Sequence, residues 1–77
     1  MAIDVRKSGT YNLLTNNGTK PAKHANGTVQ VEADVLADQS NAICAMLCGR
    51  GMNYYQIALI LHVVQETFRE DALSKKF

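Results

Sequence analysis

Asn53-Tyr54-Tyr55-Gln56-Ile57-Ala58-Leu59-Ile60-Leu61-His62-Val63-Val64-Gln65-Glu66-Thr67-Phe68-Arg69 is the stretch on which the fold turns. Asn53 is a good helix N-cap, and Gln56 three residues on can reach back to it, the reciprocal arrangement that satisfies two free backbone N–H groups at a helix start. Ile57, Ala58 and Leu61 then recur at the spacing of one helical face. The spacing predicts a short turn at His62-Val63-Val64 and a further helix over about residues 65–74, with Phe68 and Ala72 turned inward. Tyr54 or Tyr55 is expected to staple the start of this unit to the helix before it.

That preceding helix is expected from about Asp34 or Asp38 to Cys48, with Asp38 a candidate N-cap. Leu36, Ile43, Met46 and Leu47 give it one apolar face. Gly49-Arg50-Gly51 ends it, since a glycine just past a helix accepts the left-handed conformation. The fold expected is mainly α: three helices over residues 32–77, preceded by a different region over residues 1–31.

Residues 1–31 are rich in Gly, Asn, Thr and Lys and hold the only proline, Pro21. Asn17-Gly18 and Asn26-Gly27 are turn formers because both residue types tolerate positive φ. Tyr11-Asn12-Leu13-Leu14-Thr15 and Thr28-Val29-Gln30-Val31 have β-like composition. Two forms are open for this region: a flexible basic arm, or a small hairpin that pairs those two pieces across residues 16–27.

Size and charge bound the function. The chain has 77 residues, 47% hydrophobic and 19% charged, with a formal net charge of +1. One small domain of this length has a core that barely offsets chain entropy, so help from a second copy, a partner or a nucleic acid is expected. The charge is uneven: Arg6, Lys7, Lys20 and Lys23 stand against Asp4 alone in residues 1–31, while Glu32, Asp34 and Asp38 meet no base before Cys48. The opening residues lack the apolar stretch of a secretory signal, and the run from Ile57 to Leu61 is far below the roughly 20 residues of a membrane span, so a cytoplasmic protein without a membrane role is expected. Cys44 and Cys48 share a helix face and could take His62 or His24 as a third metal ligand, but no fourth with suitable spacing follows, so they are expected to be buried reduced thiols and no metal or cofactor is implied. Neither a nucleophile–base constellation nor a phosphate-binding glycine loop occurs, which argues against an enzyme.

The segment Gln56-Ile57-Ala58, Leu61-His62-Val63-Val64-Gln65-Glu66-Thr67-Phe68-Arg69, with Met46-Leu47 and Gly51-Met52-Asn53-Tyr54 before it, resembles the helix-turn-helix of small bacterial and phage DNA-binding proteins, transcription regulators and the recognition domains of small terminase subunits among them. The resemblance covers about residues 42–72. It implies that Ala58 sits at a helix crossing and that Leu61, Val63 and Phe68 fill the wedge between three helices. It further implies double-stranded DNA as partner, with the last helix in the major groove and Gln65, Glu66, Thr67 and Arg69 facing bases or phosphates. Lys75, Lys76 and the basic residues Arg6, Lys7, Lys20 and Lys23 would neutralise phosphates, and a homodimer would read a palindromic site. His62 stands where that pattern has glycine and Val64 where it has a Ser or Thr cap, and Glu70 and Asp71 bring acid to the reading helix. These departures open a second reading: the same helices as a protein–protein interaction module, an inhibitor, adaptor or virion component. Exposure of Leu59 or Ile60, on the expected outer side of their helix, would favour it.

Overall fold

The computed structural model describes residues 3–23, 27 and 29–74, without the side chains of residues 73 and 74. Its elements in chain order are a short 3-10 turn (Val5–Lys7), helix α1 (Gly9–Thr15), strands β1 (Ala22–Lys23) and β2 (Gln30–Val31), helix α2 (Ala33–Cys48) and helix α3 (Tyr54–Ser74). The molecule is flat, 38 × 30 × 17 Å. The mainly helical class is as the sequence implies, with one small antiparallel sheet.

Residues 3–23 are neither an extended arm nor a long hairpin. Asp4 accepts a hydrogen bond from the Arg6 backbone N–H and caps the 3-10 turn; Ser8 accepts one from Thr10 N–H and caps α1. The segment from Tyr11 to Thr15, β-like in composition, is thus helix, and Tyr11 and Thr15, four apart, are its two buried residues. Local composition misleads here because two capping side chains and one buried aromatic outweigh weak strand propensity. Asn16, Asn17 and Gly18 follow with φ of 51°, 60° and 83°. This left-handed run bears out the Asn17-Gly18 turn, and a Cβ on Gly18 would also approach the Tyr11 hydroxyl to 3.6 Å. A hairpin does form, with different partners: Ala22 pairs with Val31 and Lys23 with Gln30. Asn26, His24 and Thr28 lie outside the described residues.

Helix α2 begins at Ala33, before either expected start, and Asp38 lies inside it rather than at its cap. Its buried residues are Ala33, Ala37 and Leu47. Leu36 is half-buried, but Ile43 and Met46 are exposed, so the expected apolar face turns inward only in part. Gly49 keeps right-handed helical φ at the C-cap, and the left-handed residue of the stop is Gly51, at φ 68°.

The core is small. Tyr11, Ala33 and Ala37 form it, with Val5 and Leu36 against it. The 3-10 turn, α1 and α2 pack closely on one another, β1 joins α1, and α3 takes no part in these close packings.

The largest difference from expectation is in α3. It runs unbroken from Tyr54 to Ser74, through residues 62–64 where the sequence suggests a turn. None of residues 62–64 is glycine or proline, the residues that stop a helix most surely, and the helix gains a hydrogen bond per residue by continuing. Consequently there is no wedge of three helices. Ala58, Leu61, Val63 and Phe68, expected inside, are exposed, and Ile57 is half-buried.

Candidate interaction surface on helix α3

The start of α3 is built as its sequence indicates. Asn53 Oδ1 accepts from Gln56 N–H at 2.9 Å, and Gln56 Oε1 accepts from Asn53 N–H at 2.9 Å. This capping box fixes where the helix begins and hence the rotation of every later side chain. At about 100° per residue, Tyr54, Ile57, Leu61, Val64 and Phe68 fall within an arc of about 80°. Their spacings of three, four, three and four are those of a coiled-coil seam.

That stripe faces outward. Tyr54 is 74% exposed, Phe68 63%, Val64 45% and Leu61 42%. Leu59 on another side is 65% exposed and Ile60 is half-buried. Tyr54 and Tyr55, instead of stapling α3 to α2, are both exposed and meet each other edge-to-face with centroids 5.3 Å apart. A large apolar side chain gains roughly 1.5–3 kcal/mol when fully buried, so further covering this partly exposed stripe would be favourable.

The residues expected to touch DNA do not form one surface. Gln65 and Arg69, with His62, share an exposed side of α3 spanning about 60°, but Thr67 lies roughly opposite Arg69. Thr67 donates its hydroxyl hydrogen to the Val63 carbonyl at 2.7 Å. Arg69 donates through Nε and Nη2 to Glu66 Oε1, at 3.0 and 2.7 Å. This pair holds the Glu66 carboxyl below its ordinary pKa and the Arg69 guanidinium above its own. Arg6 is on the 3-10 turn, 3.3 Å from Asp38 of α2. Lys7 closes that turn; Lys20 follows α1 and Lys23 is on β1. Lys20 and Lys23 line an open groove of about 520 Å³ with Leu13, Leu14, Asn16 and Pro21, away from the α3 stripe. Lys75 and Lys76 lie outside the described residues.

The thiols are free; Cys44 is half-buried and Cys48, expected inside, is exposed. Among the described residues no three His, Cys, Asp or Glu side chains gather as a metal site, and no helix is long and apolar enough to cross a membrane.

The seam was missed in the sequence because its members were divided between two expected helices; read without a break at residues 62–64, the same letters carry a heptad pattern. The chain matches no protein-family model, no characterised protein and no solved structure.

Proposed function

We propose that the chain is a small protein–protein interaction module, an adaptor or inhibitor in kind, that works through the apolar stripe of α3. One observation carries this reading: Tyr54, Leu61, Val64 and Phe68 are exposed along a single stripe of a 21-residue helix that stands outside the close packing of the fold. Such a face is what a helix-in-groove or helix-on-helix partner buries. Exposure of Leu59 favours the same reading. The chain on this reading binds and does not catalyse.

DNA recognition is the second reading, and the observation in its favour is the exposed polar side formed by His62, Gln65 and Arg69. In its helix-turn-helix form it requires α3 to break at residues 62–64; otherwise the helix would enter the major groove as one rod.

Affinity capture with the wild-type chain, Leu61→Glu and Arg69→Ala, run beside a titration of duplex DNA at two salt concentrations, separates the two. The interaction reading expects a defined protein, another chain or the same one, retained by wild type and Arg69→Ala and lost from Leu61→Glu. Micromolar, steeply salt-dependent DNA binding that falls with Arg69→Ala would overturn it in favour of DNA recognition.

A further inference from the structure

The α3 stripe has a partner whose chemistry can be read from the chain itself. Resting on the interaction-module reading above, we propose that the partner is a second copy of this chain, and that two α3 helices pair antiparallel along the seam of Tyr54, Ile57, Leu61, Val64 and Phe68.

Surface area is the first argument. A folded monomer of 8.5 kDa exposes about 4,700 Å² by the usual scaling of area with mass. This chain exposes 6473 Å². The excess is more than the roughly 800 Å² per partner that a standard stable interface buries. The small core points the same way. Among the described residues, three of the five buried hydrophobic residues are alanines, so little apolar area is covered within one chain.

Charge supplies the second argument. The flanks of the seam are Ala58, Gln65 and Ala72 on one side and Ile60 and Thr67 on the other. These are the positions where coiled-coil helices select partners by charge, and here none carries one. Nothing on the flanks repels an identical chain, and nothing there selects a differently charged one.

Orientation follows from the ends. Residues 54–64 contain no Asp, Glu, Lys or Arg, whereas Glu66, Glu70 and Asp71, against the single base Arg69, are all in the second half of α3. Parallel pairing would set these acids side by side and place Asp71, the next seam position after Phe68, opposite its own copy. Antiparallel pairing sets Leu61 opposite Val64, Ile57 opposite Phe68, and Tyr54 opposite Asp71. Ile57, Leu61, Val64 and Phe68 then each meet an apolar residue, and Tyr54 faces Asp71. The acids also come to the positive, N-terminal end of the partner helix, where carboxylates are favoured.

Sedimentation or light scattering of the full chain over a concentration series tests the pairing. Wild type and the control Leu59→Gln, which lies off the seam, are expected at twice the 8.5 kDa of one chain, and Leu61→Glu and Val64→Asp at a single mass at the same concentrations. A spin label on the variant Tyr55→Cys, in a background of Cys44→Ala and Cys48→Ala, reads the orientation. The copies of that residue should lie on the order of 25 Å apart in antiparallel pairs, from 1.5 Å per residue, and about 10 Å in parallel ones. A short distance overturns the orientation. A wild-type monomer at all concentrations overturns self-pairing, and the module reading then stands or falls on the Leu61→Glu capture. A dimer that survives both seam substitutions overturns pairing through α3.

Discussion

In residues 3–48, polar side chains tie one element to another; in α3 the bonds of Asn53, Gln56, Thr67 and the Arg69–Glu66 pair are local to the helix and its cap. Asn41 of α2 shows the first kind. Its Oδ1 accepts from Val5 N–H at 2.8 Å and its Nδ2 donates to Asp4 Oδ1 at 3.1 Å, across 36 and 37 positions of sequence. Tyr11 reaches from α1 to the Ala33 carbonyl at 3.3 Å, and Thr15, fully buried, donates to the Tyr11 carbonyl at 2.7 Å and accepts from Gly18 N–H at 3.0 Å. In α3 the Asn53–Gln56 box spans three residues, as does the Arg69–Glu66 pair. A region held by long-range polar contacts has its shape as a single chain. A helix held by local ones, with a partly exposed apolar stripe, would on the pairing proposed above be stabilised chiefly by the surface that covers it.

The contrast is broken most severely at Tyr11. Tyr11→Ala removes the one large side chain at the centre of the core and a buried hydrogen bond. The expected loss is about 3–5 kcal/mol, enough to unfold residues 3–48 of so small a domain. Thermal unfolding followed by circular dichroism should show the N-terminal transition disappear. A variant whose transition moves by only a few degrees would place the core elsewhere. Next in size is Asn41→Ala, expected to cost about 1–3 kcal/mol because it strands the Val5 N–H and releases Asp4. Amide hydrogen exchange at Val5 should accelerate while the amides of α3 are unchanged. Equal acceleration in α3 would mean that the two regions form one cooperative unit. Smaller again is Asn53→Ala, which opens the capping box at a cost of about 0.5–2 kcal/mol. Fraying should be confined to the first turn of α3, with the melting of residues 3–48 unaltered.

How much of this was legible depended on how local the determining interaction is. The capping box at Asn53, the stop at residues 49–51 and the Asn17-Gly18 turn each depend on a few adjacent residues, and each is present. Helix α1 was not legible, because Tyr11 is helical owing to the Ser8 cap and to the Ala33 carbonyl 22 positions away. The extent of α3 was not legible for the opposite reason: an apolar stripe fits a wedge inside one chain as well as a seam between two, and His62-Val63-Val64 has no strong breaker to settle it. Of the residues expected to contact DNA, Gln65, Glu66, Thr67 and Arg69 lie on one helix, but their rotation about its axis separates Thr67 from Gln65 and Arg69, and Arg6, Lys7, Lys20 and Lys23 lie on other elements.

The smallest expected effect sharpens the contrast by acidity. Glu66 has its pKa lowered from 4.5, first by the hydrogen bonds from Arg69 and then by its charge. Asp4 has its pKa lowered from 3.8, first by the Arg6 backbone N–H and then by the Asn41 side chain. A carboxyl depressed in the folded state stabilises that state fully above its ordinary value and loses the contribution as pH falls through the depressed one. Both contributions are therefore present at neutral pH and lost in acid, below about 4.5 in α3 and below about 3.8 in the N-terminal region. Both groups are in water, so the effects are slight. Carboxyl carbon NMR through an acid titration reads each separately. Glu66→Gln should remove the Glu66 contribution to the acid dependence of helix content in α3 and leave the Asp4 midpoint where it was, since the Arg69 pair is confined to its own helix. If Glu66→Gln displaced the Asp4 midpoint, α3 and the clasp of Asp4, Val5 and Asn41 would be electrostatically coupled, and the division between a self-sufficient region and a helix awaiting cover would fail.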